Sequence, residues 1–403
     1  MARLLYLVHR LPYPPNKGDK VRSFHLLKHL ARDHEVHLGT FIDDPADEEY
    51  VDTVRGYCAG LHVERLSPRI AKLSSLSGLL SGEALSLPYY RRRGMRDWVA
   101  ATLAQRPFDA AVVFSSVMAQ YVPDTLPCLV DFVDADSAKW TAYAASHRWP
   151  MSWIYRREGR MLLKFERQVA ARARRSFFVT PAEAALFTKM APECSASVDA
   201  VGNGVDADFF SPQHAGVSPY GEDELPLVFT GAMDYWPNID AVCWFAAEVL
   251  PRLRAVEPRL RFHIVGRSPT PAVLALAGEG VAVSGTVPDV RPWLAHAAVV
   301  VAPLRIARGV QNKVLEAMAM GRPVVAARGC ANAIEAGQGT DFLTAESADE
   351  YVAAIRHLLA NAPAAAEVGA NGRACVVARY SWDAHLAGID RHLTQTESGA
   401  QPA

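Results

Sequence analysis

The chain has 403 residues, half of them apolar, with 42 Lys and Arg against 43 Asp and Glu for a net charge of −1. That length exceeds what a single hydrophobic core sustains, so two domains are expected, and the balanced charge excludes a global attraction to nucleic acid. No run approaches the roughly 18 uninterrupted apolar residues of a membrane span. The six cysteines form no C-x-x-C pair and have no metal-ligand or disulfide-framework spacing. The apolar start of about six residues is too short for a secretory leader, so a reducing, cytoplasmic setting is expected.

Short β-branched runs alternate with longer amphipathic stretches from end to end, the pattern of βαβ units and a parallel sheet. A first strand at 3–9 leads into a loop stiffened by Pro12, Pro14 and Pro15. That loop presents Asn16, Lys17 and Gly18, with a helix expected from near Asp19. Further strands are expected at 36–41, 61–66, 109–115, 127–133 and 175–180. No G-x-G-x-x-G follows the first strand, which argues against a dinucleotide cofactor. After the strand at 127–133, DFVDADSAKW brings Asp134 and Asp136 to the edge where open α/β sheets bind ligands. Either carboxylate can orient a reacting group; the alternatives are a helix cap and, as a weak signal, a D-x-D magnesium site.

Residues 148–175 hold nine Arg and Lys against Glu158 and Glu166, interleaved with Trp149, Trp153, Met161 and Phe165. A basic amphipathic helix of this kind can lie on an anionic membrane surface; the alternative is a core-packing helix with a solvated face. A Gly-, Pro- and Asp-rich stretch without period then sets a linker at 206–224 between domains at 1–205 and 225–380. The second half repeats the doubly wound pattern, with strands expected at 227–232, 262–266, 281–285, 298–303, 323–327 and 341–345. The tail after about 394 is small and polar, a disordered composition.

The most informative segment is VVVAPLRIARGVQNKVLEAMAMGRPVVAA (299–327), which reads strand, glycine-bearing loop, helix, strand. Free N–H groups at such a helix start attract phosphate, and Gly309 allows the backbone close approach. Asn312 opens the helix, Lys313 in its first turn can reach a diphosphate, and Glu316 on the same face can accept hydrogen bonds from two ribose hydroxyls. The plainer alternative is a surface Lys313–Glu316 ion pair. Arg305 in the loop, and Arg267 after the strand at 262–266, are further phosphate candidates.

The string NKVLEAMAMGRPVVA resembles the donor-site signature of GT-B glycosyltransferases of family 4, and NGVDADFF (203–210) resembles the segment that ends their first domain. TGAMDYWPNIDAV (230–242), FHIVGRSP (262–269) and YSWDAHLAGIDRHL (380–393) fall in the order of that family. The nearest likeness is to exopolysaccharide sugar transferases of PEP-CTERM/exosortase gene clusters. The resemblance implies two Rossmann-like domains facing a cleft, with a terminal helix, 381–394, returning to the first. It implies a retaining transfer from a nucleotide diphosphate sugar to a glycan or polyprenyl-linked acceptor, without a metal or other cofactor. Glu316 would hold the ribose and Lys313 the phosphate, Gly231 would make the turn after the first strand of the donor domain, and Asn16, Lys17 and Gly18 would lie in the acceptor loop. Two positions depart from the pattern: Arg308 replaces a glutamate that touches the donor sugar, and Asp234 stands where basic residues are usual. A nucleotide-sugar epimerase and a degenerate nucleotide-binding scaffold are the rival readings.

Overall fold

The structure is a computed structural model that describes residues 1–15, 18–305, 310–332 and 334–394; Asn16, Lys17, Arg308 and Gly309 lie outside the described residues. The chain divides into two units, Met1–Asn203 joined by the chain from His385 onward, and Gly204–Ala384.

Among the described residues the first unit carries seven strands: β1 (Arg3–Val8), β2 (Glu35–Ile42), β3 (Gly60–Arg65), β4 (Ala110–Phe114), β5 (Cys128–Val133), β6 (Arg175–Phe178) and β7 (Val198–Ala200). All pairs are parallel, in the order β3-β2-β1-β4-β5-β6-β7. Leu4–Val8 and every residue of β4 are buried, because helices cover both faces and leave no polar side for an alternating pattern. The three-residue β7 falls where no strand is expected from the sequence; at that length it shows no readable period.

The second unit carries β8 (Leu225–Thr230), β9 (Leu260–Val265), β10 (Val281–Gly285), β11 (Val299–Ala302), β12 (Val324–Ala327) and β13 (Leu343–Ala345). They form a parallel sheet in the order β10-β9-β8-β11-β12-β13. Both units are thus doubly wound α/β sheets of the Rossmann-like kind that the GT-B architecture pairs. The irregular stretch after Gly204 is fastened within its own unit: Tyr220 Oη donates to Trp293 O at 2.5 Å, and Arg373 Nη1 to Phe210 O at 3.1 Å.

In each sheet the winding reverses beside the first strand, between β1 and β4 and between β8 and β11. Neighbouring chain segments leave such a switch point in opposite directions and open a crevice at the carboxyl ends of the strands. Site residues from both halves of the sequence stand at these two edges.

Candidate functional site

At the switch point of the second sheet, β8 ends on Gly231, whose φ of 155° belongs to glycine. A Cβ there would lie 3.0 Å from Lys313 Nζ and 2.8 Å from Asn238 Nδ2, so the side chain's absence makes room for both. Gly266 ends β9 with a φ of 154°, and a Cβ there would collide with the Gly231 carbonyl. The two glycines let adjacent strand ends turn away together.

Lys313 comes from the helix Asn312–Ala319, which follows β11 and whose N-cap residue, Gln311, makes no side-chain cap hydrogen bond; Asn312 itself is exposed. The helix buries Val314, Leu315, Ala317 and Met318, which orients it with Lys313 and Glu316 half-buried. Lys313 Nζ donates to Asn238 Oδ1 at 2.5 Å and lies 4.3 Å from the centroid of the Phe229 ring. Asn238 is buried and anchored by its own donation from Nδ2 to Ala232 O at 2.8 Å. The ammonium is therefore held by a neutral amide and an aromatic face, with no carboxylate in an ion pair among the described residues. Burial pulls its pKa down to about 8. Glu316, one turn on, accepts no hydrogen bond among the described residues, and burial pushes its pKa up to about 7 against the opposing pull of Lys313. The two do not form the surface ion pair that their spacing alone permits.

Arg305 is placed differently from the expectation of a free phosphate ligand. Its Nε donates to Asp240 Oδ2 at 3.0 Å and its Nη2 to Asp240 Oδ1, over the ring of Trp244. Arg267, past the end of β9, is exposed, and its guanidinium makes no hydrogen bond or ion pair among the described residues. Asn238 and Asp240 are absent from the sequence-derived candidates; the only available signal is their place in the helix Trp236–Trp244 that opens just after Gly231.

At the edge of the first sheet, Gly18 begins the helix Gly18–Asp33. Asp134 and Asp136 both engage Lys139, whose Nζ donates to Asp134 Oδ2 at 2.6 Å and to Asp136 Oδ1 at 3.3 Å. Burial raises the Asp136 carboxyl, countered by Lys139. Asp136 is the first residue of the helix Asp136–Ser146, whose start is held from outside: Ser137 N and Oγ donate to the buried Glu166, and Ala135 N to Glu183 Oε2 at 2.8 Å. Just before these residues, Val133 sits at φ 67°, a strained setting for a β-branched residue at a strand end. His9, which the sequence did not single out, follows β1. It stacks on Phe114 and approaches Asp19 to 3.6 Å, and together with Arg10 it holds the Asp19 carboxyl well below its usual range. Among the described residues no cluster of three or more His, Cys, Asp or Glu is arranged to hold a metal ion.

Residues 224–361, which contain the whole second-sheet site, match the family model described as Glycosyl transferases group 1. No curated relative matches the chain. Solved structures match it along its length. Alr3699/HepE of Anabaena, in complex with UDP, is 15% identical with a TM-score of 0.58, covering 97% of this chain and 99% of its own. A glycosyltransferase of Rickettsia africae is 13% identical, with a TM-score of 0.61 and coverage of 98% and 99%. Sucrose-phosphate synthase of Thermosynechococcus elongatus is 16% identical, with a TM-score of 0.60 and coverage of 97% and 98%. The chain has the GT-B fold, and its second unit carries a group 1 glycosyl transferase match.

Proposed function

We propose that the protein is a glycosyltransferase that moves a sugar from a nucleotide diphosphate sugar to a glycan or lipid-linked acceptor. The observation that carries this reading is the incomplete polar set at the second switch point. Among the described residues Lys313 has no anionic partner and Glu316 no hydrogen-bond donor, and both are partly withdrawn from water. A diphosphate and a ribose diol are what such a pair lacks, and charge-assisted hydrogen bonds to them would offset its desolvation. The group 1 match over the same residues supports it, as does the related fold of Anabaena HepE, which has been seen with UDP and with UDP-glucose.

In this reading Lys313, Arg267 and the helix start stabilise the departing diphosphate, an electrostatic contribution that needs no reorganisation during the reaction. Retention at the anomeric carbon follows the resemblance in the sequence, with a leaving phosphate oxygen taking the acceptor proton. Asp134 and Asp136 serve on the acceptor side as orienting carboxylates. The setting we propose is exopolysaccharide synthesis in the cytoplasm, at the inner face of the membrane, with peripheral contact through 148–175. Among the described residues, no helix is long and apolar enough to cross a membrane.

The test is a thermal-shift screen of wild type, Lys313→Ala and Glu316→Ala against UDP, GDP, ADP and TDP. One diphosphate is expected to raise the melting temperature of the wild type, and each substitution to remove most of that shift. Silence from all four at millimolar concentration, or undiminished shifts in both variants, rejects the site.

A further inference from the structure

We propose that the segment 66–82, with the tryptophans that open the helix Met151–Arg172, is an insertion face for an anionic membrane surface. This deepens the membrane contact proposed above, rests on that reading for the acceptor's location, and adds to the start of 148–175 an apolar stripe from 66–82.

The helices Pro68–Ser75 and Ser77–Ser81 turn only Ala71 and Gly78 fully inward. Their larger aliphatic residues point the other way: Ile70, Leu73, Leu76, Leu79 and Leu80 are exposed, Leu73 at 70% and Leu80 at 94%. Single exposed leucines are ordinary, but five in eleven residues, spaced at roughly one helical turn, make a stripe that the unit's own core does not use.

That stripe stands on a firm mount. Arg157, buried in the second turn of the helix Met151–Arg172, donates from Nη2 to Gly78 O at 2.6 Å and from Nη1 to Glu83 O at 2.9 Å. Its neighbour Glu158, also buried, accepts from Leu85 N at 2.5 Å and Ser86 N at 3.0 Å. One turn before Arg157 stands the exposed Trp153, preceded by Met151 and by Trp149, 80% exposed. Two elements bonded to each other thus both present large apolar groups to solvent. Arg157, Glu158 and Glu166 face inward, so the middle of this helix packs into the unit.

Charge selects the occupant. Neither 66–82 nor 137–157 contains an Asp or Glu, whereas Arg69, Lys72, Arg148 and Arg156 are exposed. An apolar stripe flanked by Trp, Lys and Arg suits a headgroup boundary, where aliphatic chains enter the acyl region and cations meet phosphate. A second copy of the chain would press the same cationic rim against itself.

The experiment is co-sedimentation of the full-length protein with phosphatidylglycerol-rich and with pure phosphatidylcholine vesicles, at low and high salt. The wild type is expected to pellet with the anionic vesicles and to be partly released by salt. L73E/L80E should weaken that partition by roughly tenfold or more, and R69Q/K72Q by a few fold with less salt sensitivity. Leu80→Ser, at the most exposed position, should give a smaller loss with an unchanged melting temperature, which separates lost binding from lost folding. The proposal is overturned by a wild type that ignores anionic vesicles, by equal binding of L73E/L80E, or by a lipid-independent dimer that this variant dissociates. The diphosphate screen reads the donor site in lipid-free solution, so failure of one reading leaves the other standing.

Discussion

Two buried ion pairs of the first unit and the Lys313–Glu316 set of the second treat charge in opposite ways. In the first, Arg22 Nε meets Asp131 Oδ2 at 2.7 Å with both side chains 1% exposed, and Lys20 meets Asp47 at 2.6 Å. Arg22 Nη1 also donates to Gly202 O and Asn203 Oδ1, while Asp131 accepts from Val133 N. Each charge of the two pairs thus has an opposite partner, while Arg22 Nη2 and Asp47 Oδ2 are buried without a hydrogen-bond partner among the described residues. In the second unit, Lys313 has a neutral amide and Glu316 has no hydrogen-bond donor among the described residues. A buried charge with its counter-ion is a finished structural element; one left incomplete keeps its desolvation cost until a ligand supplies the missing half.

The sharpest way to break this comparison is to remove one partner of a finished pair. Arg22→Met strands Asp131 in the interior, and we expect a loss of about 3–5 kcal/mol of stability, read by denaturant unfolding. The double variant R22M/D131L removes both charges and should recover most of it. A near-neutral Arg22→Met would mean that the pair does not anchor the first unit.

How far the sequence discloses these features depends on whether they are contiguous. Lys313 and Glu316 are legible because strand, loop and helix start follow one another within 299–327, and physics assigns that order a phosphate-binding role. Asn238 is not, because it meets Lys313 across 75 positions and nothing about an isolated asparagine announces a partner. Arg305 shows the converse: its place in the loop suggests phosphate, yet Asp240, 65 positions away, engages it first. The long buried strands are readable from their continuous apolar runs, whereas β7 is too short. The charge pattern of 148–175 is visible, but which charges turn inward depends on carbonyls and amides at 78–86, and no local rule contains them.

Removing charges from the unfinished set should have the opposite sign. Glu316 has its pKa raised in the fold to about 7, so the folded form holds its proton longer than the unfolded chain, and stability falls as pH rises from the ordinary carboxylate range through 7. Glu316→Gln is therefore expected to stabilise the ligand-free protein by on the order of 1–3 kcal/mol above neutrality, an advantage that shrinks toward the unfolded pKa. Lys313, lowered to about 8, costs stability below that pH, so Lys313→Met should also raise the melting temperature at pH 7. Both gains would accompany loss of diphosphate binding. Destabilisation by either substitution would place these residues in the finished class.

The smallest effect distinguishes the two classes most finely, by converting one into the other. Donor binding needs Glu316 as a carboxylate and Lys313 as an ammonium, so diphosphate affinity in the wild type should peak between about pH 7 and 8 and fall on both sides. Asn238→Asp puts a carboxylate where the amide oxygen now lies 2.5 Å from Lys313 Nζ. That anion would retain the lysine's proton and carry the alkaline limb of the profile upward, while competing with the diphosphate for the same cation. We expect slightly higher stability and donor affinity lower by about tenfold, roughly 1.4 kcal/mol, measured by calorimetric titration across pH. An unchanged alkaline limb would show that Lys313 does not set it. A higher affinity would show that Asn238 is not what keeps the lysine available.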